Sequence, residues 1–214
     1  ETDFVLILNP DVIFKDTTIN ELIIASQKIS DFAIIAPISS DINYPNYKLD
    51  NDRKSMIKNT SPFRVKSVDG FAMLFNKKKL DKIIGKNYFD ENFFMYLEND
   101  DLCKRIIDAN EYIYVAPNSL VKHLGGKAVN IKYKNDVEFA RNWHWIWSKF
   151  YFNKKHYGYS TAFLQGFPKF LSSLIKYIFF SFIKKKIKQK IYLNRVLGFI
   201  NAAINKKSWY RSRF

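Results

Sequence analysis

The side chains able to do chemistry in this sequence gather at a few places. Asp11 stands in Asn9-Pro10-Asp11, directly behind the apolar run Phe4–Leu8. A run of that length reads as a strand buried on both faces, and open α/β sheets bind their ligands beyond the C-terminal ends of such strands. A carboxylate there is aimed at whatever fills the crevice. Asn-Pro-Asp is equally good turn chemistry, so the tripeptide alone leaves both readings open. Glu98, Asp100 and Asp101 crowd the start of a helix read over Asn99–Ala109. The helix macrodipole stabilises carboxylates at that end by about 0.3–1 kcal/mol each. Three so close also repel one another, which raises a carboxylate's pKa and suits a general base or a divalent-cation site. Glu98 and Asp101 are three apart and can share a helix face, and the preceding Phe89–Tyr96 is apolar enough to keep the cluster partly dry. His123 follows a strand and precedes Gly125-Gly126, which allow close approach of a ligand to the backbone. A hydrogen-bonding structural histidine is the alternative. His144 and His156 lack such a context, and Cys103, on the helix face of Leu102 and Ile106, reads as a small core residue.

The elements that position these groups follow from apolar spacing. After Phe4–Leu8, Thr18 and Glu21 form a capping box for a helix carrying Ile19, Leu22, Ile23 and Ile29. Phe32–Ala36 is strand-like and Pro37 ends it. Strand, helix and strand with short links predict a right-handed βαβ unit and a largely parallel sheet. Residues 38–64 are polar and turn-rich, with Tyr44 and Tyr47, as in a binding loop or a disordered segment. Val65–Phe75 reads as a strand broken at Asp69-Gly70, Lys77–Ile84 as a short helix, and Tyr112–Ala116 and Leu120–His123 as strands.

Of the 214 residues 47% are hydrophobic and 26% charged, a globular composition. The single cysteine excludes a disulfide framework and a Cys-rich zinc module, and points to a reducing, cytosolic compartment. No signal peptide is visible behind Glu1, and the chain reads as starting inside a larger protein or at a processed or truncated end. The net charge of +15 is unevenly spread. Residues 1–150 hold all 20 acids and 21 bases, whereas residues 151–214 hold 14 bases and no acid. Such a step marks a region that favours a polyanionic surface. At 100° per residue Lys169, Ser172, Ser173, Lys176 and Lys184 fall on one helical stripe, while Phe170, Leu171, Leu174, Ile178 and Phe179 point elsewhere. Lys184, Lys185, Lys186, Lys188 and Lys190 follow as a basic patch. Apolar anchoring plus a polybasic patch is the combination that lies on an anionic bilayer. An apolar face packed on the main domain is the plain alternative; no helix-turn-helix, RRM-like or zinc-finger pattern supports nucleic acid. The expected division is a domain over residues 1–130 and a basic, helical, membrane-surface region over 131–214.

Taken in order, these segments resemble the later part of a family 2 glycosyltransferase of the GT-A type, especially the bacterial rhamnosyltransferase-like branch. LILNPDVIF (Leu6–Phe14) is similar to the family's metal and donor-diphosphate motif, with Asn9 and Asp11 in the places of an Asp-x-Asp. VDGFAMLFNKKKL (Val68–Leu80) resembles the acceptor-side segment, FDENFFMYLENDDLCKRI (Phe89–Ile106) the block with the catalytic base, and YVAPNSLVKHLGG (Tyr114–Gly126) the block with a metal-binding histidine. RNWHWIWSKFYFNKKHYG (Arg141–Gly158) resembles the family's usual tail. The resemblance implies a partial GT-A, Rossmann-like α/β fold without its nucleotide-binding half. It implies transfer, with inversion, of a sugar from a nucleoside-diphosphate donor to a hydroxyl of a glycan acceptor, lipid-linked at the cytoplasmic face of a membrane. Asp11 and His123 would hold Mn²⁺ or Mg²⁺, Asn9 and Asp11 would face the donor diphosphate, and Asp69 and Gly70 would line the acceptor side. The base motif commonly reads Glu-Asp-x-Asp and here is Glu98-Asn99-Asp100-Asp101. An amide accepts no proton, which leaves the base to Glu98 or Asp101. The rival implication is a non-catalytic remnant that binds membranes or polyanions.

Overall fold

The computed structural model describes residues 3–29, 31–41, 43–49, 60–125 and 131–211. Within the expected binding loop over 38–64, residues 42 and 50–59 lie outside that set, as does Gly126. The chain forms two compact units, Glu1–Asp90 with Asn99–Ala128, and Glu91–Glu98 with Val129–Phe214.

The first unit is α/β. Its strands are β1 (Phe4–Leu8), β2 (Val12–Phe14), β3 (Ile34–Ser39), β4 (Tyr47–Lys48), β5 (Phe63–Val65), β6 (Ser67–Val68), β7 (Ala72–Asn76) and β8 (Ile113–His123), with helices α1 (Thr18–Lys28), α2 (Lys77–Ile84) and α3 (Glu98–Asp108). The main sheet runs β1-β7-β3-β8-β2, with β5 also on β8. Strands β3 and β8 are apolar on both faces because both faces are covered. Ile34, Ala36, Ile113 and Val115 meet Leu80 of α2 and Leu102 and Ile106 of α3, while Ile35, Tyr114 and Ala116 meet Leu22 and Ala25 of α1. Cys103 is fully buried in the α2–α3 layer, and burial pushes its thiol up to about 12, so it is the expected core residue and an unreactive one.

The largely parallel sheet predicted from the βαβ pattern is not what forms. Among the described residues only β3 and β8 pair in parallel; β1–β7, β3–β7, β2–β8 and β5–β8 are all antiparallel. β1 and β3 do point the same way, but β7 lies between them, antiparallel to both. Apolar runs specify strands without specifying their direction, and Asp69-Gly70 turns the chain so that Ala72–Asn76 enters that gap reversed. β1 is consequently an edge strand among the described residues, with Phe4, Val5 and Leu8 exposed instead of buried. The capping box is not formed either: Thr18 lies inside the first turn of α1, its Oγ1 accepting from Lys15 N (2.9 Å) and donating to Leu120 O (2.5 Å).

The second unit is helical, with a 3₁₀ turn at Ile131–Tyr133 followed by α4 (Lys134–Tyr157), α5 (Tyr159–Phe182) and α6 (Lys186–Ala203). Trp143, Trp147 and Phe150 of α4, Ala162 of α5 and Phe199 and Ala202 of α6 form its core. Residues 91–98 join this unit through Phe93, edge-on to Tyr151 with ring centroids 4.9 Å apart, and Met95, whose carbonyl accepts from Ser148 Oγ at 2.7 Å. Gly198 makes the α4–α6 contact possible, since a Cβ there would stand 2.5 Å from Trp143 O. Lys184 falls beyond the end of α5 with a left-handed φ of 53°, so the predicted basic stripe stops at Lys176.

Candidate functional site

The first cluster is built by the antiparallel pairing of β2 with the end of β8. Val12 sits opposite His123, and Leu124 N donates to Asp11 O at 3.0 Å. That ladder carries Asp11 Oδ1 to 3.2 Å from His123 Nε2. Phe71 stacks on the imidazole with centroids 4.5 Å apart and planes 20° from parallel, and Asn9 N fixes Phe71 in turn by donating to its carbonyl at 2.9 Å. Two residues 112 apart in sequence thus meet at the end of the sheet, both partly open to solvent.

Asp69 and Gly70 follow β6 in the turn that leads to β7. Burial raises the Asp69 carboxyl above its ordinary value, with the Asp100 charge adding to the rise, while the Tyr44 hydroxyl, Lys48 and His123 oppose it. Tyr44 is itself pushed up to about 12 by burial and by Asp69. The loop that supplies Tyr44 is anchored by buried Asn46, whose Oδ1 accepts from Ser39 N (2.7 Å), whose Nδ2 donates to Pro37 O (2.8 Å), and whose carbonyl accepts from Asp69 N (2.9 Å). Gly70 is needed for close approach, since a Cβ there would meet Asn99 Cβ at 3.2 Å. Asn99 in turn donates its amide to Val68 O at 2.8 Å. An ionised aspartate could not make that bond, which gives the departure from Glu-Asp-x-Asp a structural consequence. The sequence marked Asp69 and Gly70; Tyr44, Asn46 and Lys48 carried no signal beyond their place in a polar loop.

The acidic cluster divides by environment. Asp100 pairs with Lys48 at 2.6 Å on the surface. Asp101 is fully buried and receives Arg105 Nε at 3.0 Å, and the same guanidinium donates to the carbonyls of Asn87 and Tyr88. Glu98 is half-buried and opens α3. Directly before it Tyr96 and Leu97 both hold left-handed φ values, 71° and 69°. Each such non-glycine residue costs about 1–2 kcal/mol, and strain of this kind collects at functional sites. No glycine announced it in the sequence.

In the second unit Lys169 and Lys176 line a cavity with α4 and α6, whereas Lys184, Lys185, Lys186, Lys188 and Lys190 are exposed around the α5–α6 junction. The apolar side of α5 does not pack inward throughout: Leu164, Leu171, Ile175, Ile178 and Phe182 recur along one line of the helix and are exposed, Leu164 to 72% and Phe182 to 80%. No helix among the described residues is long and apolar enough to cross a membrane. His144, set aside in the sequence, is fully buried between Ser208 Oγ (3.0 Å from Nδ1) and Tyr210 O (2.7 Å from Nε2). Among the described residues no group of three or more His, Cys, Asp or Glu side chains is arranged to hold a metal ion; Asp11 with His123 is a pair. Compared with protein-family models and with curated proteins, the chain matches none.

Proposed function

We propose that the first unit is the catalytic and acceptor-side part of a glycosyltransferase using a nucleoside-diphosphate sugar, and that the helical unit lies on an anionic membrane carrying a lipid-linked glycan acceptor. The observation that carries this reading is the meeting of Asp11 and His123, from two separate blocks of the resemblance, at 3.2 Å. Their donor set fits a divalent cation. Asp11 Oδ1 and His123 Nε2 stand 3.2 Å apart, close enough that one cation could take both as ligands. One carboxylate and one imidazole suit Mn²⁺ better than Mg²⁺, which prefers oxygen. Held by Asp11 and His123, such a cation would supply neutralisation of the charge that develops on a departing diphosphate, an effect of several kcal/mol.

The remaining roles belong to the chain's own groups. Asn9 stands beside Asp11 on the donor side. Asp69, kept weakly acidic by burial, and Gly70 face the acceptor in this reading. Of the two carboxylates that the resemblance offers for the base, Asp101 is buried and held by Arg105, while Asn99 has no proton-accepting oxygen of carboxylate strength, which leaves Glu98 at the start of α3 as the candidate. Proton removal from an acceptor hydroxyl contributes about 10²–10⁴ in rate, and attack opposite the leaving group inverts the anomeric centre. The competing reading, a non-catalytic membrane-binding remnant, is favoured by Asn99 spending its amide on Val68 O.

Calorimetric titration of the 214-residue chain with Mn²⁺ and inorganic diphosphate separates the two. Wild type should bind the pair, and Asp11→Ala and His123→Ala should each weaken binding by about 10–100-fold, the range seen even for outer-shell metal partners. Wild type that binds no Mn²⁺–diphosphate, or variants that bind it unchanged, would leave only the remnant.

A further inference from the structure

Helices α4, α5 and α6 line an open cavity of about 350 Å³ that the proposed transfer chemistry does not use. Lys169 and Lys176 of α5 and Arg195 of α6 reach it, with Ser172, Trp145 and Tyr192 also in its wall, and among the described residues no carboxylate lines it. No acid follows Glu138 in the sequence, so neither α5 nor α6 can supply one. Lys176 Nζ and Arg195 Cζ both stand over the Tyr192 ring, 5.4 Å and 5.3 Å from its centroid. Arg195 is oriented by its Nε–H, which donates to Asn142 Oδ1 at 2.6 Å, and Asn142 is held by donating to Glu138 Oε1 at 2.7 Å. That bond uses Nε and leaves the donors on the two terminal nitrogens for other partners. Three like charges converging on one concavity repel one another, and a compact dianion relieves that repulsion while accepting several charge-assisted hydrogen bonds. The wall sits on the same helix as the exposed line Leu164–Leu171–Ile175–Ile178–Phe182, roughly a third of a turn away.

We propose that this cavity is a binding site for a phosphate monoester or diphosphate group carried by a membrane lipid: the cations take the headgroup, and the apolar line of α5 meets the acyl chains. The proposal rests on the membrane-surface part of the reading above and is independent of sugar transfer. Alternatives such as a free phosphate ion are outcomes of the test.

The experiment is co-sedimentation of the 214-residue chain with phosphatidylcholine vesicles doped with phosphatidic acid, which exposes a phosphate monoester, or with phosphatidylserine at matched surface charge. Wild type should favour phosphatidic acid. Lys169→Gln/Lys176→Gln, both exposed positions, should weaken binding to both anionic vesicles but cost about tenfold more on phosphatidic acid than on phosphatidylserine, the size of one charge-assisted hydrogen bond. Arg195→Gln, on a different helix, should reproduce the loss. Lys185→Gln/Lys186→Gln/Lys188→Gln should weaken both anionic vesicles alike. Equal losses of the cavity variant on both vesicles, or none, overturn the site and leave the membrane reading standing. A wild type that binds no anionic vesicle overturns the membrane reading itself. Inorganic phosphate that raises the melting temperature of wild type but not of the cavity variant, without any vesicle preference, overturns the lipid as the source.

Discussion

His144 is uncharged in the folded chain because its ring is buried and its two nitrogens are spoken for. Tyr210 O can only accept, so Nε2 carries the proton, and the Ser208 hydroxyl donates to Nδ1. Burial and the Arg211 charge lower its pKa, and the Tyr210 carbonyl only partly opposes them. A histidine depressed in the folded state binds fewer protons there than in the unfolded chain. Its contribution to stability is thus complete above the ordinary value of 6.5 and is lost as the pH falls below it. Melting curves at pH 7.5 and 5.5 should show a larger drop for wild type than for His144→Gln, which carries no titrating ring. Equal drops would mean that the ring is solvated and takes up its proton in place. The sequence offered no reason to choose this histidine over His156. Its meaning lies in partners 64 and 66 residues away, which no local pattern records. Asp11 and His123 each follow an apolar run that the sequence shows as a strand, but the pairing of β2 with the end of β8 that brings them to 3.2 Å lies outside any local pattern.

Among the elements, α6 makes the most demanding contact. Gly198 faces the backbone carbonyl of Trp143, where an added Cβ would lie 2.5 Å from oxygen and 3.4 Å from Ile146 Cβ. Replacing a mid-helix glycine by alanine normally gains about 1 kcal/mol. Here a backbone oxygen cannot rotate away, so Gly198→Ala should instead destabilise the chain by about 1–3 kcal/mol, as overpacking does. Urea melts measure this directly, and a midpoint raised by the substitution would mean that α4 and α6 do not approach so closely. Element identity was readable where periodicity was strong and local: α2 spans Lys77–Ile84, the range its spacing predicts, and Asn76 caps it by accepting from Lys79 N at 3.1 Å. Thr18 does not cap because α1 already begins at it, with Thr17 in the cap position: its hydroxyl oxygen accepts from Lys15 N and its O–H is drawn to Leu120 O, a partner 102 residues away that fixes where the helix starts. The order β1-β7-β3 was beyond the sequence for the same reason, since direction is set by which neighbour a strand finds and not by its own apolar run.

At the scale of the whole molecule the clearest feature of the sequence is the step in charge, with 14 bases and no acid after residue 150. Less readable was how the apolar residues of that region divide. Phe163 and Phe170 turn inward to Phe199, with centroids 5.7 Å and 4.9 Å away, whereas Leu164, Leu171, Ile175, Ile178 and Phe182 face outward. A helical wheel of α5 by itself cannot say which apolar side has a partner. If the helical unit lies on an anionic bilayer, as proposed above, this division makes two separable attractions, one electrostatic and one hydrophobic. Salt distinguishes them, because the screening length falls from about 10 Å at 0.1 M to about 3 Å at 1 M while burial of apolar surface is not weakened. Vesicle binding by wild type should decline on raising NaCl to 1 M and level off at a residue that salt does not remove. Leu164→Ser/Phe182→Ser, at two of the most exposed positions, should bind at 0.1 M and lose that residue at 1 M. If the double variant keeps the same high-salt binding as wild type, the outward line of α5 does not touch lipid and the basic patch alone accounts for the attraction.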